Sequence, residues 1–275
     1  YRLWRNKIET AAPALKSPIY AKLAEQSNNT TLSTHWQRLV LILLTLAWIA
    51  SLLAAARPLW IGDPISLPSN GRDLLLAVDI SGSMEQTDMT INGDSVDRLT
   101  TVKYVVTEFV ERRQGDRLGL ILFGTRPYLQ TPLTFDRKTM NTLLGEAQIG
   151  FAGEKTAIGD AIGLAVKRLK QRPENHRVLI LLTDGANSAG EVQPLEATAI
   201  AASEGITIYT IGIGAEVMLK RGFFRTQRVN PSQDLDEQTL ISIAEKTGGQ
   251  YFRARNPEEL AAIYQQLDQL EPVDQ

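Results

Sequence analysis

From Leu39 to Ala56 the chain reads LVLILLTLAWIASLLAAA, 18 consecutive residues without a charge. A helix that is apolar on every face must lie inside a protein core or cross a lipid bilayer. At 1.5 Å per residue this one spans about 27 Å, close to the roughly 30 Å hydrocarbon layer. Arg38 and Arg57 bracket it, and Trp36 and Trp60 stand just outside, where amphipathic rings settle at headgroup level. These flanks predict a transmembrane helix over residues 35–58, preceded by a juxtamembrane segment, residues 1–34. Before the helix come Arg2, Arg5, Lys7, Lys16, Lys22 and Arg38; after it, only Arg57 and Arg72 precede the next ordered region. The excess of positive charge on the amino-terminal side favours the cytoplasm there and puts the rest of the chain across the membrane. Counting only the residues nearest the helix ends, Lys22 and Arg38 balance Arg57 and Arg72. The chain begins at Tyr1 without the apolar run of a signal peptide, and is read as part of a longer one.

Pro58, Gly62, Pro64, Pro68, Asn70 and Gly71 mark a linker over residues 59–72. The remainder, residues 73–271, alternates between short apolar runs and amphipathic stretches. Asp73–Ile80, Arg117–Phe123, Val178–Thr183 and Thr207–Ile213 read as buried strands, with a short one at Gln250–Arg253. Arg126–Leu133 contains a proline and reads as an edge strand. Helices are expected at Arg98–Arg113, Arg137–Ala147, Ala157–Lys170, Leu195–Ser203, Asp236–Lys246 and Pro257–Leu270. Strands alternating with helices predict an α/β fold with a doubly wound, mostly parallel sheet.

A hydrophobic content of 43% supports a full core, and a net charge of −2 offers no basic footprint for nucleic acid. The absence of cysteine excludes thiol catalysis, disulfides and zinc–thiolate sites. No phosphate-binding P-loop is present, and Gly212-Ile213-Gly214 lacks the third glycine of a dinucleotide fingerprint. The two histidines, His35 and His176, offer no Ser-His-Asp arrangement. No enzymatic activity is expected.

In open α/β sheets, ligands bind beyond the carboxyl ends of the strands. Three polar clusters fall there: Asp79-Ile80-Ser81-Gly82-Ser83, then Glu154-Lys155-Thr156 leading into Ala157–Asp160, then Thr183-Asp184-Gly185-Ala186-Asn187-Ser188. Each supplies a hydroxyl or carboxylate and none supplies nitrogen or sulfur, a donor set suited to Mg²⁺, Ca²⁺ or Mn²⁺. Gly82 suits a tight turn between the serines. Singly, each cluster has a plainer reading: turn chemistry at Asp79–Ser83, a helix cap at Thr156, a common turn at Asp184-Gly185. The three together, in order and on the expected elements, predict a cation site. Asp160 reads as a first-turn helix carboxylate favoured by the dipole. Lys155 either weakens the ion or helps to hold an anionic ligand.

DISGSM, TAIGDAI and LLTDG resemble the metal-ion-dependent adhesion site of von Willebrand factor A (VWA) domains, over about Asp73 to Leu270. The resemblance implies direct ligation by Ser81 and Ser83, direct or water-mediated ligation by Thr156, and water-mediated or hydrogen-bonding roles for Asp79 and Asp184. It also implies an open coordination position for an acidic group of a partner protein. The single membrane helix followed by this domain is similar to the bacterial aerotolerance-operon proteins BatA and BatB. So are Val96–Thr100, DLDEQTLISIAEKTGGQYFR (Asp234–Arg253) and Leu270-Glu271-Pro272. That similarity implies the bacterial cytoplasmic membrane, and the charge excess before the helix puts the domain on its periplasmic side. It also implies sibling Bat proteins and a MoxR-type AAA+ ATPase as partners, in stress tolerance or envelope assembly. A structural scaffold that oligomerises through its membrane helix and domain faces, with a metal that only stabilises the fold, is the alternative. The segments 84–97 and 216–233 are expected near the metal face, where they would set partner choice.

Overall fold

The computed structural model describes residues 34–57, 72–173, 176–221 and 226–271. Most of the segment 1–34, the linker from Pro58 to Gly71 with Trp60, and Pro272 lie outside the described residues. The chain divides into two compact units, Tyr1–Ile65 and Ser66–Gln275.

The first unit contributes helix α1, Thr34–Ala56. Within it His35–Ala56 has a mean hydropathy of 2.6 and is exposed throughout, with Trp48 66% accessible. A core helix would bury one face, and this one buries none, so it is long and apolar enough to cross a membrane. The helix stops at Arg57, which takes a left-handed φ of 39°.

The second unit contains strands β1 (Asp73–Asp79), β2 (Met89–Ile91), β3 (Asp94–Val96), β4 (Arg117–Phe123), β5 (Tyr128–Thr134), β6 (Arg177–Thr183), β7 (Thr207–Ile213), β8 (Met218–Arg221), β9 (Thr226–Val229) and β10 (Tyr251–Ala254). Its helices are α2 (Arg98–Arg112), α3 (Arg137–Gly145), α4 (Ile158–Leu169), α5 (Pro194–Ser203), α6 (Glu237–Lys246) and α7 (Pro257–Leu270). Six strands form one sheet in the order β10-β7-β6-β1-β4-β5, parallel except for the β4–β5 pair. β5 is therefore the antiparallel edge strand, and Pro132 sits exposed on it, where a missing N–H costs no ladder bond.

β1 is buried at every position because both faces are covered. Leu74, Leu76 and Val78 pack in a core with Val106, Phe109, Met140 and Tyr264, from α2, α3 and α7. Leu75 and Ala77 point the other way, toward Ile158, Ile162, Ala201 and Ile243 of α4, α5 and α6. A fully buried leucine of this kind contributes about 1.5–3 kcal/mol. The chain leaves β1 toward β4 on one side and later returns to β6 on the other, so the carboxyl end of β1 is a topological switch point.

Boundaries moved by a residue or two: α3 ends at Gly145 rather than Ala147, and β5 runs Tyr128–Thr134 rather than Arg126–Leu133. Two short antiparallel pairs lie outside the expected elements. β2 and β3 pair across Asn92-Gly93, whose φ values of 54° and 93° are those of a two-residue hairpin turn. β8 pairs antiparallel with β9.

Candidate functional site

β1 delivers Asp79, fully buried, to the switch point. Its Oδ1 accepts the Ser81 backbone N–H at 2.8 Å, and its Oδ2 accepts the Thr183 hydroxyl at 2.6 Å. Asp79 thus shapes the turn after β1 and ties it to the end of β6. The turn is docked further by Ile80 N–H on Phe123 O (2.8 Å), Gly150 N–H on Ile80 O (2.8 Å) and Gly82 N–H on Glu154 O (3.1 Å). The Glu154 carboxylate lies over Gly82, in the space any side chain there would need.

Three loops then bring their oxygens together. The Ser81 and Ser83 hydroxyls are 3.0 Å apart, Thr156 donates to Ser81 Oγ at 3.1 Å, and Ser83 donates to Asp184 Oδ1 at 2.6 Å. Asp79, Ser81, Ser83, Thr156 and Asp184 are therefore assembled in one place. Thr156 does not cap α4: its hydroxyl faces Ser81, and Asn187 takes the capping role, its Oδ1 accepting Ile158 N–H (2.8 Å) and Gly159 N–H (3.3 Å). Lys155 is exposed at the rim. Asp160 does more than favour the helix dipole, because it accepts the Glu191 N–H at 3.0 Å and the Val192 N–H at 2.8 Å and so holds the loop before α5.

Sequence reasoning missed Arg98, at the first position of α2. A cation there opposes the helix dipole and needs a compensating partner, which was the available signal. It is 1% exposed. Its Nη1 donates to Asp184 Oδ2 at 2.7 Å, and its Nε and Nη2 grip Asp88, ahead of the β2–β3 hairpin, at 3.0 and 2.6 Å. Nη2 also reaches Pro231 O at 3.1 Å, in the segment after β9. Asp184 is thus held from both sides, one oxygen on Ser83 and the other on Arg98.

The electrostatics are unbalanced. Asp79, Asp88 and Asp184 have buried carboxylates; among the described residues Arg98 is the cation paired with Asp88 and Asp184, while Asp79 is held by hydrogen bonds without an ion pair. Burial, and then the charge of Asp184, push the Asp79 carboxyl up to about 7, against the hydrogen bonds from Ser81 and Thr183. Burial also raises Asp184, opposed by Arg98 and Ser83. Three carboxylates against one guanidinium leave two negative charges when all are ionised. Among the described residues no three His, Cys, Asp or Glu side chains cluster as a metal site on their own. The donor set is mixed, with hydroxyls from Ser81, Ser83 and Thr156 and carboxylates behind them. Such oxygens suit a hard divalent cation.

The family model for the von Willebrand factor type A domain matches residues 73–266. An uncharacterized protein of Borreliella burgdorferi is 30% identical over 190 residues, 67% of this chain and 54% of its own length. The chain thus spans little more than half of that relative. Two solved structures share the fold. BatB from Bacteroides thetaiotaomicron is 26% identical with a TM-score of 0.60, covering 73% of this chain and 98% of its own. An aerotolerance-related membrane protein from Bacteroides fragilis is 25% identical with a TM-score of 0.58, covering 71% and 98%. With the matched model extending over most of the chain, from the first residue of β1 into α7, this protein belongs to the von Willebrand factor A domain family.

Proposed function

We propose that this protein is a membrane-anchored, non-enzymatic binding subunit that engages an acidic group of a partner protein through a divalent cation. The observation that carries the reading is the charge deficit: among the described residues Asp88 and Asp184 share Arg98, and the buried Asp79 beside Asp184 has no cation paired with it. A divalent ion matches that deficit in sign, and in magnitude once Asp79 has released its proton. Ser81, Ser83 and Thr156 would hold the ion, with Asp79 and Asp184 acting behind them, and Mg²⁺ is the expected occupant. When bound, the ion supplies an electrophilic position for a carboxylate oxygen. The chain's own contribution is to orient the hydroxyls. Asp79 fixes the turn, Arg98 aims Asp184, and Asn187 anchors the start of α4 beside Thr156.

We place α1 in the bacterial cytoplasmic membrane and the domain on the periplasmic side. The likeness to BatB supports sibling Bat proteins as partners; a MoxR-type ATPase, in a stress-tolerance or envelope-assembly complex, is the further partner that the sequence resemblance implies. A scaffold role, in which the metal only stabilises the fold, draws support from Arg98, which ties three separate segments to the site. Affinity capture from detergent-solubilised membranes separates the two. The binding role predicts partner recovery in Mg²⁺ that is lost in EDTA and in Asp184→Ala. Equal recovery under all three conditions contradicts it, and a metal-indifferent oligomer on gel filtration favours the scaffold.

A further inference from the structure

The end of the sheet opposite the metal face combines exposed cations with exposed aromatic and apolar surface. Arg72 precedes β1, so the sequence joins α1 to this end through residues 58–71. The connection from Arg57 to Arg72 reaches at most about 50 Å even when extended. On one side of the β4–β5 edge, a cleft of about 220 Å³ has Leu75, Leu129, Pro132 and Leu133 on its wall and Lys167, Arg168 and Arg172 around it. Its place at the lower end is fixed by Arg172, whose Nε lies 4.0 Å from the carboxylate of Asp73, the first residue of β1. Lys167 and Arg168 are exposed at the last turn of α4 and enter no ion pair among the described residues. On the other side of the same edge, Phe135 is 48% exposed just after β5, next to Arg137 and Lys138. The Arg117 guanidinium stands 5.9 Å from the centre of its ring. Glu111 and Asp136 are the acids lining that second hollow, and Asp136 is occupied in capping α3.

An exposed aromatic ring flanked by arginine and lysine is the arrangement that settles at a bilayer interface, and basic clusters next to a membrane anchor are attracted by anionic headgroups. A stripe of cations with apolar side chains between them fits a surface that offers phosphates and acyl chains together. We propose that this end of the domain docks on anionic phospholipid headgroups, with Lys167, Arg168, Arg137 and Lys138 meeting phosphates and Phe135 entering the interface. The metal face would then point away from the bilayer, toward partners. The proposal rests on membrane anchoring by α1 and not on the metal reading.

The cysteine-free sequence permits a direct test. The full chain carrying Gln171→Cys with a fluorescent label is placed in nanodiscs containing a nitroxide-headgroup lipid, with either 30% phosphatidylglycerol or phosphatidylcholine alone. A label at Phe151→Cys, 74% exposed and next to Gly150, whose N–H bonds Ile80 O on the metal face, serves as the distant reference. Docking predicts that the Gln171 label is quenched several-fold more in the anionic discs and that the Phe151 label is not. The excess should vanish in high salt and in K167E/R168E, both exposed positions that leave the core intact. Equal quenching of the two labels, quenching indifferent to phosphatidylglycerol, or no effect of the charge reversal overturns the proposal. A chain that fails to enter the discs contradicts the anchoring beneath it.

Discussion

At the amino-terminal end of the sheet, each buried carboxylate has a guanidinium of its own. Asp73 meets Arg117 at 2.6 Å, Asp116 meets Arg113 at 3.2 Å, and Glu271 meets Arg72 at 2.8 Å. At the carboxyl end, Asp88 and Asp184 share Arg98, and Asp79 lies buried beside Asp184 with no ion pair among the described residues. Both ends bury charge, a costly arrangement unless the charge is paired. The paired end closes on itself and behaves as a latch that gathers the start of β1, the start of β4 and the end of α7. Among the described residues the carboxyl end has more buried carboxylates than cations. The same residue types thus build a fastening at one end and an uncompensated cluster at the other, and the count of partners separates them.

The sharpest way to break that contrast is to remove one arginine from each end. Arg98→Gln leaves Asp88 and Asp184 buried without a cation and should cost about 3–5 kcal/mol by urea unfolding. The loss should be larger in EDTA than in Mg²⁺. Arg117→Gln, whose side chain is 22% exposed, should cost less, about 2 kcal/mol, with no dependence on the ion. Equal ion dependence in the two variants would erase the distinction between the ends.

Asp79→Asn should act with the opposite sign. The folded-state value of about 7 lies above the ordinary 3.8, so in the folded chain Asp79 keeps a proton that the unfolded chain has released. That contribution to stability is fully present below pH 3.8 and is lost as pH rises through about 7. The metal-free protein should therefore weaken over that window. The asparagine variant should lose the slope and unfold no earlier than the parent at neutral pH without metal. Denaturation midpoints from pH 4 to 8 in EDTA would show this, and an unchanged slope would count against Asp79 as its source.

The smallest effect belongs to Asn187→Ala. Uncapping α4 should cost about 1 kcal/mol and speed hydrogen exchange at Ile158 and Gly159. Because the change spares every proposed ligand, the response to Mg²⁺ should persist.

The layered sheet and the loops that bring Asp79, Ser81, Ser83, Thr156 and Asp184 together were legible in the sequence because they depend on local signals. DLLLAVD is a buried strand by its own composition, DISGS and TDG each follow an apolar strand, and the Thr156 loop opens an amphipathic helix. What stayed hidden depends on contacts between distant segments. Arg98 lies 10 residues from Asp88, 86 from Asp184 and 133 from Pro231, and no periodicity connects them. The β2–β3 hairpin was marked by Asn92-Gly93, but its strands are too short to show alternation. Asn187 caps a helix that begins almost 30 residues earlier in the chain, so no local capping motif could reveal it.

The proposed function turns on divalent-cation binding at the buried carboxylates beside Arg98. Calorimetric titration of Mg²⁺ into the metal-free protein, with Asp184→Ala alongside, tests it most directly. The prediction is saturable binding of one ion, with stabilisation of about 2.7 kcal/mol at a hundredfold excess over Kd, both lost in Asp184→Ala. No binding heat and no shift in unfolding, or the same response in parent and variant, would contradict the account.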